Sequence, residues 1–434
     1  MSLNAEPFAR GQSGRIRLHV LPTKKFKTYA IVLYAGVPLS EAEITRVALI
    51  PFVLGRGTAS FPETLALREK LDSMYGAHFG YDVGKRGDHQ VVQFRLDVIN
   101  DRFVSSNTPL LREALALLGE VLTAPALEDG RFVARYVESE KKTVAQKLDA
   151  IINDKIRYAE KRCLEEMFRG DPYRLPALGR KEDLDGIDAT SLHETYRRWL
   201  RNAAFDLYVV GDTCLEKVTT LVQGAFRLPD GPPGTYAPSL PRQAPPEPRT
   251  VEERLDVTQG KLNIGLRTPV TYAGPDYPAL LVYNGLLGGF PHAKLFVNVR
   301  EKASLAYYAS SRLDGHKGVI MIQTGIEIAN YAKALGIIRE QLEAMRRGDF
   351  TEDDLAKTKE MLANQLTALQ DNPFERIWFD FNASVAGAEH TAEELLAKVR
   401  AVAPDDVARV AQTVGLDTVY FLRDRKEETV HAGA

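Results

Sequence analysis

The sequence predicts an α+β fold made of two similar domains. Three observations favour this class: the same order of strands and helices occurs twice, a proline-rich segment separates the two occurrences, and hydrophobic residues make up 44% of the chain. That content supplies enough apolar surface for buried cores, and strands interleaved with long helices are typical of α+β domains. The 434 residues allow two to four domains of about 100–200 residues each.

The boundary between the domains is predicted from the stretch Pro229–Pro248, which contains eight of the 23 prolines. Proline fixes φ and has no N–H group, so this stretch is neither helix nor central strand. Its composition indicates an extended linker, with a proline-rich loop inside one domain as the alternative. The linker interpretation divides the chain into an N-terminal domain over residues 1–227, a linker over 228–250 and a C-terminal domain over 251–434.

The first half begins with a strand, followed by two helical stretches, a pair of strands, an amphipathic helix, a long charged helix and a final strand. The pair of strands is predicted from a turn near Gly84–Asp88, and the amphipathic helix from leucines that share one face. In chain order the segments are KTYAIVLYAGVPL, ALIPFVLGRG, FPETLALREKLDSMYGA, HFGYDVGKRGDHQVVQFRLDVI, the helix with Leu111, Leu115, Leu118 and Leu122, the helix over about 131–168, and FDLYVVGD.

The second half repeats this order. Its strands are again rich in β-branched and aromatic residues, and its amphipathic helix again carries apolar residues three or four positions apart. In chain order the segments are KLNIGLRTPV, PALLVYNGLLGG, HAKLFVNVREK, SLAYYASSRLDG, GVIMIQTGI, the helix with Leu335, Ile338, Leu342 and Met345, a charged helix from about Asp353, and TVYFLRDR.

Charge and composition exclude several function classes. Lys and Arg total 56 and Asp and Glu total 58, so the net charge of -2 indicates neither a nucleic-acid nor an anionic-membrane partner. We find no stretch of about 20 apolar residues and no secretory signal, which predicts a soluble protein of the reducing cytoplasm. The two cysteines, Cys163 and Cys214, are expected to be small core residues.

Common catalytic motifs are missing from the sequence. None of the eight histidines lies three, four or five residues from another, so no helical pair of metal ligands exists. The glycines at Gly55–Thr58 and Gly285–Gly289 match neither a P-loop nor a dinucleotide-binding turn. The GxSxG motif that marks a serine nucleophile is also absent.

One dense segment remains, GGFPHAKLFVNVREKASLAYY from Gly288 to Tyr308. It resembles the second domain of the pitrilysin/insulinase family of zinc metallopeptidases, which includes the mitochondrial processing peptidases and carries GG…LF..(V/L)REK.GLAY. Arg300 and Tyr307 fall on that family's Arg and Tyr. The resemblance covers essentially the whole chain. It implies two homologous α/β-sandwich domains in a clam-shell arrangement, each a mostly antiparallel sheet with helices on one face.

The same resemblance exposes a missing metal site. Active members carry HxxEH on a first-domain helix shortly before a Gly-Thr turn. Aligned on Gly57-Thr58, the two histidine positions hold Ala48 and Phe52, and the general-base glutamate position holds Pro51. The family's third ligand, a glutamate on a later helix, would fall near Glu138 or Glu140; the alternative is that these two belong to a solvated helix face. Ala and Phe cannot coordinate Zn²⁺, so no metal is expected in this chain.

The resemblance implies a function shared with another chain. Arg300, ending a helix, and Tyr307, on the next strand, would bind the substrate carbonyl and stabilise its oxyanion opposite a zinc-bound water. We therefore expect a zinc-less subunit, inactive alone, that completes the site of a homologous HxxEH partner carrying the zinc. The alternatives are an inactive scaffold subunit or a chamber that binds peptide without hydrolysis, with a homodimer possible in isolation. Without the resemblance, a tyrosine on a strand indicates packing and an arginine ending a helix indicates a cap.

Overall fold

A computed structural model describes residues 7–105, 108–388 and 390–425 of the chain. The chain forms two compact units, each with its own sheet. Unit 1 comprises Met1–Ala150, Leu175–Pro238 and Ala368–Gly387, and unit 2 comprises Ile151–Arg174, Ser239–Thr367 and Ala388–Ala434. Within the described ranges, no helix is long and apolar enough to cross a membrane.

Strands and helices alternate along both halves in the predicted order. The strands are β1 Ala9–Ser13, β2 Ile16–Pro22, β3 Thr28–Pro38, β4 His78–Arg86, β5 His89–Ile99, β6 Leu127–Glu128, β7 Arg131–Phe132, β8 Ala204–Gly211, β9 Arg249–Arg254, β10 Gly260–Arg267, β11 Ala306–Asp314, β12 Val319–Ile326 and β13 Gly415–Arg423. The α-helices are α1 Ile44–Leu54, α2 Thr64–Ser73, α3 Leu110–Thr123, α4 Ala134–Asn153, α5 Lys155–Met167, α6 Ala189–Asn202, α7 Leu215–Ala225, α8 Tyr277–Asn284, α9 Tyr331–Arg347, α10 Glu352–Ala368, α11 Pro373–Ala386, α12 Ala392–Ala401 and α13 Pro404–Thr413. Two π-helical segments follow α8, namely π1 Gly285–Gly289 and π2 Phe296–Lys302.

The two large sheets have matching topologies. The sheet of unit 1 has the order β1-β2-β8-β3-β5-β4, and the sheet of unit 2 has the order β11-β12-β10-β13-β9. In each sheet one pair is parallel, β2 with β8 and β13 with β9, and the other neighbours are antiparallel. The duplicated, mostly antiparallel α+β architecture is thus confirmed. β4 and β11 occupy corresponding edges of the two sheets.

The predicted long helix over about 131–168 is two helices, because Asp154 interrupts it. The Asp154 side chain accepts hydrogen bonds from the N–H groups of Ile156 and Arg157 and so caps a new helix, α5. The break falls where the chain passes from unit 1 to unit 2. The second half has the same break before α11, where Asn372 caps the helix.

Each half lends one helix to the other unit. On α11, Phe381 stacks on Tyr34 of β3 with a 3.7 Å centroid distance, and Asp380 accepts hydrogen bonds from Arg10 and from the Tyr208 hydroxyl. On α5, Cys163 packs with Tyr420 of β13. The units are therefore not the continuous halves expected from the sequence, since residues 151–174 and 368–387 are exchanged.

The exchange also accounts for a second covered sheet face. On β3, Val32 and Tyr34 pack in the cluster that contains α11, while Ile31 and Leu33 alternate with them and are buried too. Helices were expected on one face of each sheet only. Helix α11, which comes from the second half of the chain, packs on the second face of the unit 1 sheet.

The proline-rich stretch is anchored to unit 1. Between α7 and β9 the chain forms neither helix nor strand. Tyr236 is packed over Gly36, where a Cβ atom would lie 2.2 Å from the tyrosine ring, and it meets Phe381 edge-on at 5.9 Å. Arg15 Nε donates to the Pro232 carbonyl at 2.9 Å. The stretch is therefore part of the packed structure of unit 1 up to Pro238.

One cysteine differs from expectation. Cys163 is buried on α5, which raises the pKa of its thiol. Cys214 is exposed, because it occupies the N-cap position of α7 at the end of a loop.

Candidate functional site

Helix α1 carries the residues predicted at the metal-binding positions. Ten of its eleven residues are buried, and Ala48 has no exposed surface. Pro51 lies inside the helix, and its carbonyl accepts the N–H of Gly55 at 3.0 Å. Because the side chains of Ala48, Pro51 and Phe52 have no atom that can bind a metal ion or accept a proton, these positions of α1 contribute to the core and offer no metal ligand.

Phe52 fills the space beside α1. Its side chain is 6% exposed and meets the Tyr81 ring of β4 edge-on, with a 5.2 Å centroid distance. The Tyr81 ring also lies where a Cβ atom on Gly55 would be, at 2.5 Å, so glycine is needed there. Burial raises the pKa of the Tyr81 hydroxyl to about 12. An aromatic pair therefore occupies the surroundings of the second predicted histidine position.

The two glutamates predicted near the third ligand position behave differently. Glu138 is exposed and pairs with Lys141 at 3.0 Å, as a solvated helix face would. Glu140 is only 5% exposed, and its Oε1 lies 3.3 Å from Nε of Arg56, just beyond the end of α1. Burial raises the pKa of Glu140, while Arg56 acts in the opposite direction. The solvated-face interpretation is thus wrong for Glu140, because this carboxylate is buried and pairs with an arginine that is distant in sequence.

A residue that the sequence reasoning missed is Lys147. Its ammonium nitrogen lies 5.9 Å from the centroid of the Phe52 ring, so α4 brings a cation to this position. Lys147 follows Glu140 by two helical turns and shares its face, and this spacing is the signal that could have found it. A lysine cation beside Phe52 would repel a zinc ion, and Ala48 and Pro51 offer it no ligand. These positions therefore do not fit zinc. Among the described residues, no group of three or more His, Cys, Asp or Glu side chains could hold a metal.

Arg300 lies on π2, where the turns are wider than in an α-helix. The N–H of Ala303 donates to the carbonyl of Asn298, five residues back, at 3.3 Å. The Arg300 guanidinium lies 4.5 Å from the centroid of the Phe296 ring and is exposed. The predicted order of a helix with Arg300 followed by a strand with Tyr307 is present.

Tyr307 lies at a β-bulge near the start of the edge strand β11. Ala306 pairs with Ile326 and Tyr308 pairs with the adjacent Gly325, so Tyr307 is the extra residue. Its side chain is 63% exposed, which leaves its ring accessible. Just before the strand, Ser304 has a left-handed backbone with φ 53°. Bulges and such strained turns often direct a side chain at a functional site.

Two further residues at this end of the sheet were not predicted. Tyr308 lies across Gly325, where a Cβ atom would be 2.4 Å from its ring, and Lys261 Nζ is 5.6 Å from the Tyr308 ring centroid. Lys261 is buried, and this burial lowers the pKa of its ammonium group. Burial raises the pKa of Tyr308 to about 12. A lysine at the start of the strand KLNIGL was the available signal.

The glycines of π1 have a packing role. Gly288 approaches β11 so closely that a Cβ atom would lie 2.7 Å from the Ser311 backbone nitrogen. The Ser311 hydroxyl donates to Oδ1 of Asn284 at 2.8 Å, which fastens β11 to the end of α8. The GLLGG stretch thus joins a helix to the edge strand.

The structure places Arg300 and Tyr307 on two elements, π2 and β11, that pack against each other. No hydrogen bond joins their side chains in the described part of the chain. The residues at the predicted metal-binding positions all belong to unit 1, and Arg300 and Tyr307 belong to unit 2. Each unit therefore carries one of the two groups of predicted site residues.

The chain is similar to known proteins over nearly its whole length. The chain is 41% identical over 414 residues to the "Probable inactive metalloprotease YmfF" of Bacillus subtilis, an alignment that covers 95% of this chain and 97% of the relative. The chain belongs to the M16 peptidase family, as a member without the zinc-binding histidines. Residues 186–362 of this M16 homologue match the family model "Peptidase M16 inactive domain".

Solved structures show the same fold for this M16 homologue. A conserved protein from Enterococcus faecalis V583 superposes with a TM-score of 0.91 at 31% identity and covers 98% of this chain and 100% of its own. A peptidase M16 inactive domain from Pseudomonas fluorescens superposes with a TM-score of 0.78 at 16% identity, covering 96% of this chain and 98% of its own. The second likeness concerns the fold alone.

Proposed function

We propose that this M16 homologue is the non-catalytic subunit of a heterodimeric zinc peptidase of the cytoplasm. The partner is a homologous HxxEH chain that binds the zinc. The present chain supplies Arg300 and Tyr307 to the joint site. The observation that carries the proposal is the contrast in exposure: the predicted metal positions are filled by core packing, whereas Arg300 and Tyr307 remain exposed on adjoining elements.

The chemistry of the two side chains suits an oxyanion. Peptide hydrolysis passes through a tetrahedral intermediate, and one preorganised donor contributes about 2.7–4 kcal/mol to its stabilisation. A tyrosine hydroxyl donates at neutral pH, and the Arg300 guanidinium stays charged and can hold the substrate carbonyl. Tyr307 is fixed by a strand and Arg300 by a helix, and such elements hold catalytic groups more accurately than loops do.

The test is reconstitution with an HxxEH homologue, beginning with one encoded next to this chain. Activity is measured on an unstructured peptide with a fluorophore and a quencher. Arg300→Ala and Tyr307→Phe are each expected to lower kcat by about 100-fold. Tyr75→Phe, which changes another exposed tyrosine in unit 1, is the matched control and should leave kcat unchanged. Full activity of both site variants contradicts the proposal.

A second candidate function, peptide binding without hydrolysis, is favoured by the edge strand β11. Its outer side has no neighbouring strand in the described sheet, and an extended peptide can pair with such an edge. Binding of a fluorescein-labelled unstructured peptide to the isolated chain, measured by anisotropy, distinguishes the two functions. Tight binding alone, with no activity in any HxxEH pairing, supports the binding function. A native complex with unrelated subunits only would instead support a scaffold.

A further inference from the structure

Two backbone hydrogen bonds with a wide spacing close the end of the π2 segment that carries Arg300. The Ala303 N–H donates to the Asn298 carbonyl at 3.3 Å, and the Leu305 N–H donates to the Val299 carbonyl at 3.0 Å. These bonds span five and six residues, whereas an α-helix uses four. A π-helical turn is rare and frequently occurs at functional sites. Something in the surroundings must therefore favour the wider turn over an ordinary helix.

The Asn298 side chain is the contact that fastens this turn. Its Nδ2 donates to the Lys294 carbonyl and to Oε1 of Gln341 on α9, both at 2.9 Å. Its Oδ1 accepts from Lys302 Nζ at 3.3 Å. One amide thus joins the segment just before π2, the end of π2 and the neighbouring helix α9. Asn298 precedes Arg300 by two residues and is partly buried, so it is not among the exposed groups of the site.

We propose that Asn298 is a positioning residue that directs Arg300. This role rests on the proposed function of Arg300. Successive residues of an α-helix are separated by about 100° around the axis. If the hydrogen bonds of π2 spanned four residues, as in an α-helix, instead of five, the helical register would shift by one residue. Arg300 would then turn by about 100° relative to β11. Asn298 acts through Arg300 and contacts no reacting atom.

The experiment uses the reconstituted heterodimer and the quenched peptide described above. Asn298→Ala removes all three side-chain bonds. Asn298→Asp keeps the shape and the acceptor but loses both donated bonds. Gln341→Ala removes the acceptor from the α9 side and keeps Asn298, which covers the case in which an Asn298 variant does not fold. Asn382→Ala is the matched control, because Asn382 Nδ2 also donates to a carbonyl four residues back, on α11 at 2.6 Å.

We expect Asn298→Ala and Asn298→Asp to lower kcat about 10- to 100-fold, because a displacement of about 1 Å has effects of this size. KM should change less than about threefold, and Asn382→Ala should leave kcat unchanged. In an Arg300→Ala background, Asn298→Ala should have no further effect on kcat, since its action passes through Arg300. In a crystal structure of the Asn298→Ala chain, the Ala303 N–H should donate to the Val299 carbonyl instead of Asn298.

Two results overturn the positioning role while leaving the proposed function intact. One is an unchanged kcat in the Asn298 and Gln341 variants when Arg300→Ala is impaired. The other is full additivity of Asn298→Ala with Arg300→Ala, which is the behaviour of a residue that only stabilises the fold. Full activity of Arg300→Ala contradicts the proposed function itself, and the positioning role then falls with it.

Discussion

Helix α1 of unit 1 and the π2–β11 segment of unit 2 differ in what surrounds their side chains. At α1, Phe52 is packed against Tyr81 and Lys147, and nearby Glu140 forms an ion pair with Arg56. At π2–β11, Arg300 and Tyr307 stand in solvent, although the backbone around them is held by specific bonds. The first region uses its side chains to stabilise the fold. The second keeps its side chains accessible at the cost of an irregular backbone. This contrast is the basis of the proposal that Arg300 and Tyr307 contribute to a joint site.

The largest expected effect on stability is at Phe52. Phe52→Ala should lower the free energy of unfolding by about 3–4 kcal/mol, because it removes a buried ring and leaves a cavity beside Tyr81. Tyr307→Ala, at the exposed region, should change it by less than about 0.5 kcal/mol. Urea denaturation followed by circular dichroism measures both. Equal losses in the two variants would show that the two regions do not differ in this way.

The Arg56–Glu140 pair gives the next largest effect. Arg56→Ala should lower the free energy of unfolding by about 1–2 kcal/mol, because Glu140 would remain buried without its cation. The effect is reduced from that of a fully buried pair, since the Arg56 side chain is 32% exposed. Glu138→Ala, which removes the exposed neighbour of the same helix, is the control and should fall within about 0.5 kcal/mol. A loss at Glu138 as large as at Arg56 would remove the distinction between the two glutamates.

The pH dependence of stability tests the environment of Glu140. The pKa of Glu140 is raised in the folded protein, so folding favours the protonated acid. The folded protein is therefore most stable below the pKa that Glu140 has in the unfolded chain. It loses this stability as the pH rises through the pKa that Glu140 has in the folded protein. Glu140→Gln resembles the protonated acid at every pH. The variant should therefore match the wild type at about pH 4 and become more stable relative to it towards about pH 7. Parallel stability curves across this range would contradict a buried, disfavoured carboxylate.

The smallest effect is expected at Ser304, where the irregular backbone of unit 2 can be relieved. Its φ of 53° is unfavourable for a residue with a Cβ atom, by about 1–2 kcal/mol. Ser304→Gly should raise the free energy of unfolding by about 0.5–1 kcal/mol, because the flexibility of glycine in the unfolded chain offsets part of the relief. Ser304→Ala keeps the Cβ atom and should bring no gain. Thermal unfolding of the two variants decides between relief of strain and an effect of the hydroxyl.

Local signals in the sequence identified most of the elements. The periodicity of apolar residues located the strands and the helices, and the leucines of α3 located its buried face. The Arg300 helix and the Tyr307 strand were also located. The break at Asp154 was missed, because a charged helix continues on both sides of it and a cap is one residue long. Lys147 was missed and the burial of Glu140 was not expected, because their surroundings come from α1 and the residues just after it, about 90 residues earlier in the chain.

By itself the sequence determined the duplicated α+β order, the lack of a closely spaced histidine pair and the Arg300–Tyr307 spacing. These depend on residue type and on neighbours within a few positions. Only the tertiary structure decided that α5 and α11 exchange units, that Arg56 neutralises Glu140, and that the Tyr307 bulge and the wide turn of Arg300 exist. The physical reason is that burial, strand register and the hydrogen bonds of Asn298 are set by partners distant in sequence, which no local pattern specifies.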